Sequence, residues 1–377
     1  MINIQNVFRK EEVKTTSNGD ALRAMGMSEE EVRLFDEVQE GLQSEGEKFQ
    51  KFLTGKSKDK LKAVKEKEIL ELLNVEQSYY DQVNHYRQLG WLTTKDGKEG
   101  IVRKGNGKNR SDVFYELPTL EAIQEEILKK GELLKYKANQ GFKRFILAPI
   151  GLSYVDMYNK LGSEYTRYQA DPAFGLYRTD AAKTKYDQAV DTTWFSDTMK
   201  KEEDCYYYPE TLQSGSDPKE HHGKMKDELL TTSKFPGWEI HILPESNILP
   251  RSGAGTIVGD RPELEANTVF SDYLEIIRGN KDRADGKNVY RGENGLIPEV
   301  WVTLAMQRLR QDKQILNDWY ENEEDCAAVL IGMLTKSNTV PVSCFDADSG
   351  SRQVRLSGSI PTFQFFLNAV GSSVKVC

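Results

Sequence analysis

A chain of 377 residues with 38% hydrophobic residues, a mean hydropathy of -0.62 and a formal net charge of -8 is polar and globular, with length for about two or three domains. That charge excludes a protein that coats nucleic acid with its whole surface, and it leaves a local basic patch open. No run is long and apolar enough to span a bilayer, and MINIQNVFRKEEVKTT lacks the apolar stretch of a secretory signal, so the expected compartment is cytoplasmic. Cys205, Cys326, Cys344 and Cys377 stand far apart without a C-x-x-C pair, so free thiols are expected.

Residues 1–55 read as a helical lead-in. Ser28 and Glu31 have capping-box spacing, and Phe35, Val38, Leu42, Phe49, Phe52 and Leu53 recur near helical period up to Gly55. Such a stripe is a packing face, against another domain or another copy of the chain in a homo-oligomer.

Residues 56–139 carry a second pattern. Val64, Ile69, Leu72 and Leu73 mark a short helix, Asn74-Val75 a turn, and Tyr79, Val83 and Tyr86 a second helix closed by Leu89-Gly90-Trp91-Leu92. Two strand-like runs around Gly-rich basic turns follow, as a wing would, and Pro118 with TLEAIQEEILKKGELLKYKANQG predicts one further amphipathic helix. Residues 56–110 hold thirteen Lys and Arg against eight Asp and Glu, a net +5 inside an acidic chain. A basic winged helix of this kind would set Gln77, Ser78, Tyr79 and Gln82 nearest the bases, with Lys95, Lys98, Arg103, Lys104, Lys108 and Arg110 on phosphates. The same module can dock a partner protein, and Lys-rich helix faces are commonly just solvated. The segment resembles the winged helices of MerR-type regulators and plasmid-partition proteins; no phosphate-binding loop follows it, which excludes a partition ATPase.

The main boundary is expected at 139/140, where FKRFILAPIGLSYVDMYNKLG reads as a buried strand and an amphipathic helix. Residues 163–204 are Tyr-rich with poor periodicity and predict short elements and long loops. CYYYPETL, HHGKMKDELL and FPGWEIHILPESNILP then read as a strand, a short helix and an apolar strand. Successive residues such as His221 and His222 rarely face one ion, so they predict a turn entering a helix, with no metal and no cofactor. GAGTIVGDRPELEA lacks the Lys-Ser/Thr of a phosphate loop and reads as a tight structural loop. Pro298 predicts a helix start with Val302, Met306, Leu309 and Leu316 on its apolar face, and Cys326–Leu334 predicts one continuous strand. No nucleophile–base constellation is visible, so no enzyme is expected.

From Ser337 to Val374 the chain contains no Lys, Glu, Met or Trp. Within that gap Val340, Pro341, Arg352, Gln353, Leu356, Gly358, Pro361, Val370, Val374 and Val376 form a regular skeleton, and the residues between them follow no propensity rule.

The order and spacing of RFILAPIGLSYVDMYNKL, CYYYPETL, FPGWEIHILPESNILP, GENGLIPEVWVTLAMQRL, AAVLIGML and the tail to VGSSVKV resemble the C-type-lectin-fold variable proteins of diversity-generating retroelements, over about residues 142–377. The family's basic ending is altered here, with Gly371 at one usual Arg and Lys375 at the other, and Phe345 stands near a common Trp. The resemblance implies a cause for the gap: a reverse transcriptase that misreads adenines diversifies Asn-type codons into most residues, but not Lys, Glu, Gln, Met or Trp. Gln353 and Gln364 would then be framework. It also implies variable ligand-binding residues at Ser343, Cys344, Asp346, Asp348, Ser349, Arg355, Ser357, Ser359, Ile360, Thr362, Phe363, Phe365, Phe366, Leu367 and Asn368. The related formylglycine-generating enzymes have no counterpart here to their cysteine pair.

The expected class is α+β: an N-terminal helical and winged-helix region followed by a C-type-lectin-like domain that binds an unidentified protein or small-molecule ligand without catalysis. The alternative is a ligand-responsive transcriptional regulator that binds DNA through residues 56–110.

Overall fold

The computed structural model describes residues 23, 28–30, 32, 33, 37, 66–105, 111–171, 173–178, 185, 186, 188–190, 193–212, 218–246, 249–279, 288–318, 326–346, 352–365 and 367–377. Contacts divide the chain into Met1–Lys65 and Glu66–Cys377. In the first unit a helix begins at Glu29, directly after Ser28, and the Val32 amide donates to the Ser28 carbonyl. Glu31 and the apolar stripe from Phe35 to Leu53 lie outside the described residues.

The second unit is α+β. Residues 66–72 are helical, Asn74 takes the left-handed region at φ 45°, and α1 (Val75–Leu89) follows until Gly90, at φ 73°, ends it. β1 (Thr93–Lys95), β2 (Lys98–Arg103) and β3 (Val113–Glu116) make an antiparallel sheet turning at Asp96-Gly97. The single helix expected next is two, α2 (Leu120–Lys129) and α3 (Gly131–Asn139), broken where Lys130 leaves helical geometry at φ -104°, ψ 13°.

β4 (Phe142–Ala148) leads into α4 (Tyr154–Ala170), capped by Ser153. β5 (Trp194–Phe195), β6 (Cys205–Tyr207), β7 (Lys224–Met225), α5 (Lys226–Thr232) and β8 (Glu239–Pro244) follow. The glycine-rich loop is a hairpin of β9 (Ile257–Val258) and β10 (Arg261–Pro262), with Gly259 at φ 65° in its turn. His221 ends a short 3-10 turn, and its ring is fully buried. Next come α6 (Phe270–Arg278), β11 (Glu293–Gly295) and α7 (Pro298–Asp312), with Pro298 in its first turn.

The apolar run Cys326–Leu334 is not one strand. It splits into β12 (Ala327–Val329) and β13 (Met333–Thr335), which belong to different sheets. Gly332 lies between them, where a Cβ would fall 2.3 Å from the Gly295 carbonyl oxygen. β14 (Val340–Asp346), β15 (Gln353–Ser359), β16 (Asn368–Val370) and β17 (Ser372–Lys375) complete the chain.

Two larger sheets organise this unit. One is antiparallel in the order β11-β17-β8-β4, and the other is mixed in the order β16-β12-β14-β15-β5. α4 and α7 pack on the face of the mixed sheet that carries Ser343 and Phe345, while α6 packs over Val329, Val340, Val342 and Val370 on the other. The boundary expected at 139/140 is not a gap in packing: Val83, Tyr86 and Ile127 share one buried cluster with Phe145 and Trp301.

α1 explains that continuity. β4 is an edge strand, and an uncovered edge presents unpaired peptide groups. The buried Gln82 amide fills that role, its Nε2 donating to the Phe145 carbonyl (3.1 Å) and its Oε1 accepting from the Leu147 N–H (2.9 Å). Tyr86 Oη donates to the Leu147 carbonyl. Gln82→Leu should therefore cost about 1–3 kcal/mol by leaving buried peptide groups unpaired. Chemical unfolding reads this, and a loss below experimental error would remove Gln82 from that role.

His85, also buried on α1, is held down to about 4 from its usual 6.5, by burial first and then by Arg310, Arg167 and Lys160. Between those values the unfolded chain takes up a proton that the folded chain refuses. Stability contributed by neutral His85 is thus full above about pH 6.5 and is lost as pH falls towards 4, about 3 kcal/mol across the window. His85→Gln should flatten that slope in unfolding curves taken from pH 7 to 4; an unchanged slope would assign it elsewhere.

Candidate functional site

Most skeleton residues of the tail lie inside, while Arg352, Gln353 and Gly358 are half-buried. Val340, Val354, Leu356, Val370, Val374 and Val376 are buried, and Phe345 meets Tyr165 and Tyr186 edge-on at centroid distances of 5.7 and 5.3 Å. Strand alternation then separates the residues between them. Leu356 pairs with Ser343 and Val354 with Phe345 on the inner face, while Gln353, Arg355, Ser357 and Ser359 pair with Asp346, Cys344, Val342 and Val340 on the outer one.

Four residues expected at the ligand surface are therefore corrected to interior positions. Ser343 is fully buried and accepts a 2.8 Å hydrogen bond from Tyr158, whose phenol burial pushes far above its ordinary value. Cys344 is covered within the cluster beneath α6. Asp346 is buried and accepts from Arg355 Nη1 at 2.9 Å, and Asn368 is buried in β16 beside β12. Outer-face geometry alone does not expose a side chain, because α6 covers the β12–β14 part of the sheet.

Beyond that cover the surface opens. Arg355, Ser357, Ser359, Phe365 and Leu367 are half-buried, and Ile360, Thr362 and Phe363 are exposed, Ile360 to 56% and Phe363 to 39%. Phe363 stacks on Phe365 with ring centroids 6.0 Å apart and meets Phe270 of α6 at the same distance. Asp348, Ser349 and Phe366 lie outside the described residues.

The turn carrying these side chains is held by its backbone. Ser271 N–H donates to the Pro361 carbonyl (3.1 Å), Asn267 N–H to Phe365 (3.2 Å), Ala327 N–H to Leu367 (2.9 Å), and Phe363 N–H closes onto Ile360 (3.0 Å). The side-chain anchor is Gln364, whose Nε2 donates to the Asn267 carbonyl at 2.7 Å. Trp194, which no sequence pattern singled out, joins this surface: β5 pairs in parallel with β15, and the Arg355 guanidinium lies 4.5 Å from the Trp194 ring centroid.

The segment expected to read DNA is arranged differently. Tyr79 is buried and donates to the Pro118 carbonyl, Gln82 is committed to β4, Ser78 is half-buried, and Gln77 donates to Asp81. Among the basic residues, Lys98 pairs with Glu116 (2.7 Å), Arg103 with Asp227 (2.5 Å) and Lys104 with Asp112 (2.7 Å). Lys95 is exposed, and Lys108 and Arg110 lie outside the described residues.

The structure also assembles one chain of groups that the sequence hid. His241 Nδ1 lies 2.9 Å from Ser373 Oγ and its Nε2 lies 3.0 Å from Glu239 Oε2, and Tyr208 and Lys375 donate to the same carboxylate. Burial would raise Glu239, but Lys375 and His241 hold it down at about 2. All three side chains of this serine–histidine–glutamate row are closed inside adjacent strands, so it ties β8 to β17 and gives a substrate no approach to Ser373.

All four cysteines are free thiols. No helix among the described residues is long and apolar enough to cross a membrane. Compared with protein-family models, curated proteins and solved structures, the chain finds no match.

Proposed function

We propose that this chain is a non-catalytic binding protein whose C-terminal C-type-lectin-like domain displays a retroelement-diversified surface to a protein or small-molecule ligand. The observation that carries the reading is the backbone-held turn from Ile360 to Leu367. Its peptide groups and Gln364 fix the loop, so Ile360, Thr362 and Phe363 can change without removing what holds it. Framework and varied residues thus have separate physical duties.

The binding patch is Arg355, Ser357, Ser359, Ile360, Thr362, Phe363, Phe365 and Leu367, extended by Trp194. Two exposed or half-exposed Phe rings and an indole supply rigid apolar area, and small hydroxyl residues around them supply adaptable hydrogen bonding. Residues 66–139 act in this reading as a winged-helix-like buttress whose second helix covers a sheet edge. The DNA-regulator reading asks the Gln77–Gln82 stretch to enter a groove, and burial of Tyr79 and Gln82 does not favour it.

The test lies in the DNA flanking the gene. A near copy of codons 340–376 is expected, with differences confined to adenines of the copy and with identical codons at Gln353 and Gln364. Differences scattered over all four template bases, or no copy and no reverse-transcriptase gene nearby, would overturn diversification.

A further inference from the structure

A half-open pocket of about 370 Å³ lies between α1, β4 and α7 and shares no residue with the Ile360–Leu367 surface. Helical spacing builds two of its walls: Ser78, Asp81, Gln82 and His85 share one face of α1, and Gln307, Arg310 and Gln311 share one face of α7. Lys143 and Arg144 of β4 form the third, with Glu245 beyond β8.

Two side chains that are otherwise inside turn their polar atoms to this pocket. His85 is 8% exposed and Gln307 is 6% exposed. Neither ring nitrogen and neither amide atom has a hydrogen-bond partner among the described residues, and none of the four is closed off from solvent. Polar groups this deep are normally hydrogen-bonded. Two cations in the wall also lack a counter-charge. Arg144 donates to the Glu245 carbonyl (3.3 Å) and Arg310 to the Asp81 carbonyl (2.9 Å), and neither forms an ion pair with a carboxylate among the described residues. The carboxylates of the wall are engaged elsewhere, Glu245 with Lys143 at 3.2 Å and Asp81 with Gln77 Nε2 at 3.0 Å. Three cations against two carboxylates leave the wall positive, and the charges that weigh most on His85 are the cations Arg310, Arg167 and Lys160.

We infer that this pocket binds a small, doubly charged oxyanion of the phosphate or sulfate type, gripped by Arg144 and Arg310 and completed by N–H donors of His85 and Gln307. Guanidinium forks match such oxygens in both geometry and charge. A positive wall disfavours a cation, and a neutral molecule would leave both half-buried guanidiniums without a counter-charge.

Sulfate, methanesulfonate and dimethyl sulfone share a tetrahedral sulfur and carry two, one and no negative charges. Each is titrated into the full chain at fixed pH and ionic strength while the histidine ring signals are followed by NMR. The chain has four histidines, and the signal lost in His85→Gln identifies the one to follow. Sulfate should shift it saturably, methanesulfonate should bind about tenfold or more weakly, and dimethyl sulfone should leave it in place. Arg144→Gln and Arg310→Gln should each weaken sulfate by about tenfold or more, since each removes a charge-assisted hydrogen bond. No saturable shift with sulfate, an equal response to all three probes, or undiminished sulfate binding in both arginine variants, the mark of an adventitious ion only, would each overturn the site. If the arginine variants do not fold, Ser78→Asp decides, because it sets a negative charge at a half-buried position in the same wall. Weaker sulfate binding there supports the site, and unchanged binding overturns it. None of these substitutions touches the Ile360–Leu367 surface, so loss here leaves the proposed ligand-display role standing.

Discussion

Phe345→Ala is expected to cost about 3–5 kcal/mol, the range for deleting a fully buried aromatic side chain. The ring fills the space between β14 and α4, edge-on to both Tyr165 and Tyr186, and its loss leaves a cavity that three structural elements would have to close. Residues on the opposite face and in the turn after β15 should behave otherwise. Ser357, Ser359 and Thr362 make no comparable packing, so exchanges there should stay within about 0.5 kcal/mol. Chemical unfolding of the two sets compares them directly; equal losses would mean that the tail is not divided into frame and surface.

Lys226→Met should cost a similar amount, about 3–5 kcal/mol, for an electrostatic reason. Lys226 Nζ lies 3.0 Å from Glu299 Oε1 and 3.2 Å from Glu202 Oε2, and it donates to the Leu152 carbonyl at 2.6 Å. Burial alone would lower this ammonium, but the two carboxylates override it and hold it above its ordinary value. Burial raises Glu299, which also accepts from Tyr207 at 2.8 Å. Glu202 caps the start of α4 through the Tyr154 and Val155 amides, so one ammonium ties the beginnings of α4, α5 and α7. Removing it strands buried carboxylate charge, and adding Glu299→Gln should recover part of the loss. A single variant as stable as wild type, or a double variant less stable than the single one, would contradict this account.

Local conformational demands were legible in the sequence. Asn74, Gly90 and the Asp96-Gly97 turn occupy the left-handed region that their residue types favour, and Pro298 starts a helix where its missing N–H costs nothing. Long-range decisions were not. Gly332 interrupts an unbroken apolar run because of the approach of Gly295, which is far away in sequence. Ser343 and Ser357 are the same residue in similar strands, yet one faces Tyr158 and the other the half-open side, and only the pairing of β14 with β15 separates them.

The candidate surface was legible in part for the same reason. The turn at Ile360–Phe363 is open as its irregular composition suggested, whereas Cys344 and Asp346 lie in a sheet region whose cover, α6, comes from another part of the chain. Trp194 left no signal because it enters by pairing with β15 from a stretch without periodicity. Gln82 read as an exposed helix residue, and nothing local reveals that its amide matches the edge of β4. His241 and Ser373 meet across 132 residues of sequence.

The division of the tail is tested most directly by displaying a library of the full chain randomised in turn at each of 340–346 and 353–365, sorted for folded protein, and sequenced. Broad tolerance is predicted at Ser357, Ser359, Ile360, Thr362 and Phe363. Narrow tolerance is predicted at Val340, Ser343, Phe345, Val354, Leu356 and Gln364. Broad tolerance at the second set, or narrow tolerance at the first, would contradict a scaffold whose folding is independent of its displayed side chains.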